Sequence, residues 1–185
     1  GDYKDMQEAF YQLLISLIMA LIFVYAIIAA QFESYIIPFV ISLAVPFALF
    51  GALICLYFSS NTLNVYSGIG IIMLIGIVVN NGIVLIDYMN KLFLARNISW
   101  EVAALESCKR RMRPVLMTSL TTILGLFPMI IETGSGNEMY KPISIAVCGG
   151  LIFSTMFTLI IIPAIYSSFI NRFKIKIYKE YNLIR

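Results

Sequence analysis

The sequence alternates between long apolar runs and short polar stretches. An α-helix needs roughly 20 apolar residues to cross a hydrocarbon core about 30 Å thick. Polar, turn-forming residues separate the runs, as in QFES (31–34), SSNTLN (59–64) and ETGSGNEMYKP (132–142). The pattern predicts an all-α integral membrane bundle of five transmembrane helices. The five runs cover approximately 10–30, 36–58, 65–89, 114–131 and 142–168.

A more polar segment, residues 91–113, separates the third run from the fourth. Asn97 or Ser99 could cap a short helix that has Glu101 in its first turn, where a carboxylate is favourable. We therefore predict a cytosolic connector helix over about 97–112.

Two prolines shape the prediction for the fourth run. Pro114 opens the run and suits a first helical turn, because that position needs no N–H donor. A helix that begins there is separate from the connector. Pro128 lies further along the same run and is expected to kink it.

Composition supports lipid as the solvent of these runs. The chain is 61% hydrophobic and 12% charged, with a mean hydropathy of +0.91, whereas soluble domains are about 45–50% apolar and about 25% charged. The chain contains no histidine, which excludes HExxH zinc sites, histidine-dependent triads and histidine-ligated haem. Its cysteines (Cys55, Cys108 and Cys148) are isolated, which argues against a disulfide framework or a CxxC metal site. We expect no metal, no cofactor and no nucleic-acid partner.

Lysine and arginine predict the orientation, because they concentrate on the cytosolic side of membrane proteins. All of them except Lys4 and Lys141 lie between the third and fourth runs or in the C-terminal tail, residues 169–185. This distribution predicts that the connector and the tail are cytosolic and that Gly1 is extracytoplasmic. The first residues, GDYKDMQE, lack the features of a signal peptide. An external N-terminus with an odd number of spans then leads us to expect a piece of a longer protein.

Small residues recur every four positions in three of the runs, which favours close helix packing in lipid. The first run is bulky nearly all round and is expected to face lipid widely. A role in lining a substrate path stays open for each small-residue stripe. The stripes are Ala44, Ala48 and Ala52; Ala146, Gly150, Ser154 and Thr158; and the pairs Thr118–Thr122 and Thr121–Gly125.

Two adjacent amides, Asn80 and Asn81, interrupt the third run. Gly76 lies one turn before Asn80, and Asp87 lies two turns after it, nearly on one helical face. An unpaired amide is costly in hydrocarbon, so Asn80 must face protein or a water-filled path. Two roles stay open for it: a hydrogen bond between helices, or part of an ion or proton path. Asp87 lies nearer the cytosolic boundary and is expected to be solvated.

Four segments, in order along the chain, resemble the last membrane segments of the resistance–nodulation–division (RND) superfamily. The most similar branch is the hydrophobe/amphiphile multidrug efflux pumps, and the resemblance covers essentially the whole chain. The segments are AAQFESYIIPFVISLAVPFALFGA (29–52), GIGIIMLIGIVVNNGIVLIDYMNK (68–91), RRMRPVLMTSLTTILG (110–125) and GGLIFSTMFTLIIIPAIY (149–166).

The resemblance implies helices eight to twelve of a twelve-helix transporter domain, with residues 1–9 as the end of a missing periplasmic domain. Such pumps are secondary transporters, not enzymes. They lie in the bacterial inner membrane and expel amphiphilic compounds in exchange for protons. The implied partners are membrane lipid, the N-terminal half and periplasmic domains of the pump, and two further copies in a homotrimer. In Gram-negative bacteria a periplasmic adaptor and an outer-membrane channel join them.

The resemblance also implies a proton relay, in which acidic residues on a fourth helix, absent from this chain, face a polar residue on the tenth. Asn80 occupies that tenth-helix position, and Arg111 and Thr118 match the relay arginine and threonine of the eleventh. The best-known pumps carry a lysine in place of Asn80, which leaves the charge balance and the coupling ion open. Alternatively, Arg111 is a positive-inside anchor and Thr118 bonds only its own backbone. Asn81 is interpreted as structural.

Two other functions stay open. A membrane scaffold or a remnant without transport activity would need no relay. An RND transporter for metals or lipids would share the same motifs.

Overall fold

Five segments of the chain are helical and both long and apolar enough to cross a membrane, as predicted. The computed structural model describes residues 2–96, 98–132, 134 and 136–173, and within these ranges it contains helices and no strands. The all-α membrane fold is therefore confirmed. The helices are α1 (Asp2–Phe32), α2 (Ile36–Ser42), α3 (Ala44–Phe58), α4 (Val65–Arg96), α5 (Trp100–Ile131) and α6 (Asn137–Phe173).

Polar side chains cap the starts of α4 and α5. Before α4, the Ser67 backbone N–H donates to Asn64 Oδ1 at 2.8 Å, and the Asn64 N–H donates to Ser67 Oγ at 2.9 Å. This reciprocal pair supplies acceptors for N–H groups that a helix start leaves free. At α5, Ser99 Oγ accepts from the Val102 N–H. Asn97, the other predicted cap, lies outside the described residues.

The predicted connector and the fourth span form one continuous helix, α5, and this differs from the prediction. Pro114 lies inside α5 and does not start a new helix. A proline costs the helix one hydrogen bond, here the bond to the Arg110 carbonyl. Membrane helices tolerate that loss where neighbouring groups satisfy the freed carbonyl. The sequence signal at Pro114 therefore indicated a boundary that the helix does not have.

The second predicted span is interrupted once, at Leu43, so α2 and α3 are separate helices. The physical reason lies at Pro46, which has no N–H to donate to the Ser42 carbonyl. The two helices still form one membrane-crossing segment, Ile36–Phe58.

Helices α1 and α6 extend beyond the first and fifth predicted spans. Residues 2–9, which the resemblance placed at the end of a periplasmic domain, continue α1. Helix α6 runs to Phe173, past the predicted end of the fifth span. The rest of the predicted tail, residues 174–185, lies outside the described residues.

Helix α6 lies at the centre of the bundle and packs against α3, α4 and α5. Small residues permit this close packing. A Cβ built on Gly150 would lie 2.0 Å from Leu74 Cδ2 and 2.9 Å from the Ala48 carbonyl oxygen. The buried small residues along this contact include Ala44, Ala48, Ala52, Ala146, Ser154 and Thr158.

Two outer surfaces of the bundle are not covered by any described helix. Helix α1 contacts α2 and α4 and exposes most of its large side chains, Tyr11 and Phe23 among them. On α5, a Cβ built on Gly125 meets nothing within 4 Å, and Thr121 is exposed. The Thr121–Gly125 stripe is therefore not a packing face between the described helices.

Candidate functional site

Helices α4 and α5 run antiparallel along a seam that contains three of the predicted site residues, Asn81, Arg111 and Thr118. Near its middle, Thr118 Oγ1 lies 3.5 Å from Asn81 Oδ1. Toward the predicted cytosolic side, the Arg111 guanidinium lies over the ring of Tyr88, 4.5 Å from its centroid. Both contacts are seven residues apart on each helix, so they occupy the same face two turns apart.

The two neighbouring amides face different environments. Asn81 is 6% exposed and lies inside the seam. Asn80 is exposed, and within the described residues its side chain has no hydrogen-bond partner. Gly76, one turn before it, is also exposed, and a Cβ built there meets no atom within 4 Å. The face of α4 that carries Gly76 and Asn80 is thus uncovered by the described helices.

Thr118 lies at the edge of the seam and is exposed. Its hydroxyl donates to the Val115 carbonyl at 2.9 Å, and its contact with Asn81 is long for a hydrogen bond. Helix threonines commonly bond their own backbone. This geometry is therefore compatible with the alternative in which Thr118 has only that structural role. It also leaves the hydroxyl beside the Asn81 amide.

Neighbouring arginines on α5 have different partners. Arg110 pairs with Glu106 at 2.9 Å, and Arg96 reaches the same carboxylate at 3.0 Å. Arg111 forms no ion pair with any described residue, and its buried Nε has no hydrogen-bond acceptor there. Asp87 pairs with Lys91 at 2.6 Å, and the two side chains are 38% and 70% exposed, as expected of a solvated acid.

A second polar cluster lies inside the bundle, where α5 meets α6. The hydroxyls of Ser119 and Thr155 are 2.8 Å apart and both residues are buried. Ser154 bonds the Leu151 carbonyl at 3.3 Å. Thr158 is 1% exposed, and its hydroxyl has no partner among the described residues. Gly150 belongs to the packing contact with α3 and α4 described above.

Tyr88 and the Ser119–Thr155 pair were not predicted from the sequence. The spacing could have indicated Tyr88. Tyr88 follows Asn81 by seven residues, and Thr118 follows Arg111 by the same number, so each pair lies on one face of its helix. No comparable signal marks Ser119 and Thr155, because their pairing depends on how α5 and α6 are rotated against each other. Among the described residues, no group of three or more histidine, cysteine or acidic side chains could hold a metal ion.

Comparisons with known proteins cover nearly the whole chain. The model of the AcrB/AcrD/AcrF family matches residues 1–170. The swarming motility protein SwrC of Bacillus subtilis (strain 168) is 39% identical over 168 residues, which are 90% of this chain and 16% of that protein.

Solved structures agree with this match. Two crystal forms of a heavy metal efflux pump resemble the chain with TM-scores of 0.81 and 0.79, each at 34% identity, over 91% and 90% of this chain. The chain spans 16% of the length of these relatives. The resemblance inferred from the sequence motifs is confirmed: the chain belongs to the AcrB/AcrD/AcrF family and is a membrane portion of an RND transporter.

Proposed function

We propose that this chain is the C-terminal membrane part of an efflux pump driven by proton antiport, which exports amphiphilic or hydrophobic compounds. Asn80 is its contribution to the proton relay, with Arg111 and Thr118 as further members. The observation that carries the proposal is the open face of α4, where Asn80 and Gly76 have no neighbouring helix among the described residues.

The Asn80 side chain has hydrogen-bonding groups that the described helices leave without a partner. An amide at membrane depth needs a partner, because an unpaired polar group in hydrocarbon is costly. The described helices supply none. A helix that carries carboxylates, as the family resemblance implies, would satisfy the Asn80 N–H donors, and Gly76 leaves room for its approach. Unlike a lysine, Asn80 adds no positive charge, so protonation of the carboxylates would have to balance more of their charge.

Arg111 and Thr118 are proposed as members of the same relay because they lie on the α4–α5 seam. Arg111 has no carboxylate partner in the described chain, so its charge stays available to an acid elsewhere in the pump. The Thr118 hydroxyl lies between the Val115 carbonyl and Asn81, where it can donate to either. Asn81 is proposed to hold the seam together.

The charge distribution of the chain supports a membrane orientation for the pump. The cluster of lysine and arginine around the start of α5 supports a cytosolic position for that end and for the C-terminus. We infer a multi-pass protein of the bacterial inner membrane that works as a homotrimer with the remaining domains of the pump. A periplasmic adaptor and an outer-membrane channel would complete the path where the cell has an outer membrane.

The proposed role of Asn80 is tested by Asn80→Ala in the full-length pump. We expect export to be lost while the protein reaches the membrane in normal amount, because Asn80 is not part of the packed core. Met73→Ala is the matched control, since Met73 is exposed on the same face of α4 and carries no relay group. Export by the Asn80→Ala pump at the wild-type rate would refute the relay role.

Metal efflux is a second candidate, favoured by the similarity to the heavy metal efflux pump structures. In that case the exported metal ion is the substrate. Growth of a strain without the pump, with and without the full-length gene, separates the two: protection against cationic dyes and detergents supports multidrug export. Protection against divalent or soft metal ions alone would assign the pump to metals.

A further inference from the structure

The Arg111 guanidinium is held against an aromatic ring, not against a carboxylate. It lies 4.5 Å from the centroid of the Tyr88 ring, well inside the roughly 6 Å range of cation–π contacts. Within the described residues Arg111 forms no ion pair, and its Nε has no hydrogen-bond acceptor.

The choice of partner is informative because a carboxylate lies close by in sequence and is used by two other arginines. Glu106 accepts from Arg96 at 3.0 Å and from Arg110 at 2.9 Å. Those two side chains share one carboxylate in an ion-pair cluster, which offsets part of their charge. Arg111 instead lies over the face of the Tyr88 ring on α4.

A ring and a carboxylate hold a guanidinium in different ways. A carboxylate accepts N–H donors at the edge of the group and cancels its charge. An aromatic ring contacts the flat face, leaves the N–H donors free and adds no charge. A guanidinium on a ring is therefore fixed in place while it can still bind an anion.

We propose that Tyr88 is a positioning residue, whose ring holds Arg111 so that its free N–H groups can engage an acidic group during the transport cycle. This inference rests on the proposed relay role of Arg111. Tyr88 and Asn81 share one face of α4, as Arg111 and Thr118 share one face of α5. The ring thus sets the distance between the arginine and the amides, about two helical turns away.

The test is to replace Tyr88 in the full-length pump with phenylalanine and with mono-, di- and trifluorinated phenylalanine. Fluorine withdraws charge from the ring face and weakens a cation–π contact in steps, with little change in shape. The purified pumps are placed in liposomes, and the initial rate of ethidium transport driven by an imposed proton gradient is measured. Zn²⁺ replaces ethidium if growth tests assign the pump to metals.

We expect Tyr88→Phe to transport near the wild-type rate and each added fluorine to lower the rate, by roughly 2- to 30-fold over the series. The same series at Tyr57 is the control, because Tyr57 is exposed and its ring contacts Phe58. No dependence on fluorine is expected there. A structural role for Tyr88 would not produce a graded response, since the substituted rings have nearly the same shape.

Two results would overturn the inference, and a third separates it from the proposed function. Equal rates across the series at Tyr88 would show that the cation–π contact does not matter. Loss of transport already in Tyr88→Phe would make the hydroxyl the important group. Arg111→Ala is measured in parallel: wild-type transport by that variant would refute the relay role of Arg111, and the inference with it. Lost transport in Arg111→Ala together with a flat series would refute the role of Tyr88 alone.

Discussion

The contact of Gly150 with its neighbours permits a quantitative prediction about the packing of α6. Substitution by alanine places a methyl group 2.0 Å from Leu74 Cδ2 and 2.9 Å from the Ala48 carbonyl oxygen. Carbon atoms in favourable contact are about 3.5–4.0 Å apart, so the first distance is short by about 1.5 Å. Leu74 is fully buried and has little room to rotate. The Ala48 oxygen belongs to the backbone, so α3 or α6 must shift.

The magnitude follows from two opposing terms. Overpacking of this kind costs about 1–3 kcal/mol, while replacing glycine by alanine in a helix gains about 1 kcal/mol. Gly125→Ala is the matched control, because Gly125 is helical and a Cβ there meets nothing within 4 Å. The helix-propensity gain is common to both variants, so the difference in unfolding free energy between them isolates the packing cost, about 1–3 kcal/mol.

The assay is a thermal challenge of the full-length pump in detergent, followed by gel filtration of the protein that remains folded. We expect the midpoint of Gly150→Ala to lie below the wild type and that of Gly125→Ala to lie at or above it. Equal midpoints for the two variants would refute the reasoning, because they would mean that α3, α4 and α6 absorb the methyl group without cost.

Two further predictions concern buried hydrogen bonds and use the same thermal assay. Ser119→Ala and Thr155→Val should each lower the free energy of unfolding by roughly 0.6–2 kcal/mol. The double variant should lose less than the sum of the two, because both substitutions remove the same hydrogen bond of 2.8 Å. Strictly additive losses would contradict the pairing. Tyr166→Phe removes the hydroxyl that donates to Asn90 at 2.8 Å but keeps the ring edge toward Trp100. It should lower the unfolding free energy by about 1 kcal/mol with normal transport, and lost transport at unchanged stability would instead indicate a functional hydroxyl.

Much of the architecture could be predicted from the sequence because lipid imposes a simple rule. Backbone groups in hydrocarbon must be hydrogen-bonded within the protein, and a helix achieves this within its own segment, so length and hydropathy identify the helices. The small-residue stripe of α6 also predicted its buried face, since close helix approach in lipid depends on small side chains. The stripe with Gly125 follows the same spacing, yet that face is open in the described structure. Spacing alone does not say whether a partner helix is present.

Helix ends were less predictable, and proline is the reason. Pro114 lies inside a continuous helix, whereas Pro46 follows the break at Leu43 by three residues. Both residues remove one backbone donor. Whether the freed carbonyl ends a helix depends on the groups around it, which the local sequence does not contain.

The sequence by itself determined that this is a membrane protein, how many times it crosses and to which superfamily its motifs belong. Composition and run length suffice for the first two, and residue order for the third. Only the tertiary structure decided which polar groups meet. Adjacent amides on a helix point about 100° apart, and the position of α5 decides that Asn81 is enclosed while Asn80 stays open. The same placement brings the ring of Tyr88 to Arg111, because two side chains on different helices meet only when packing fixes both rotation and register.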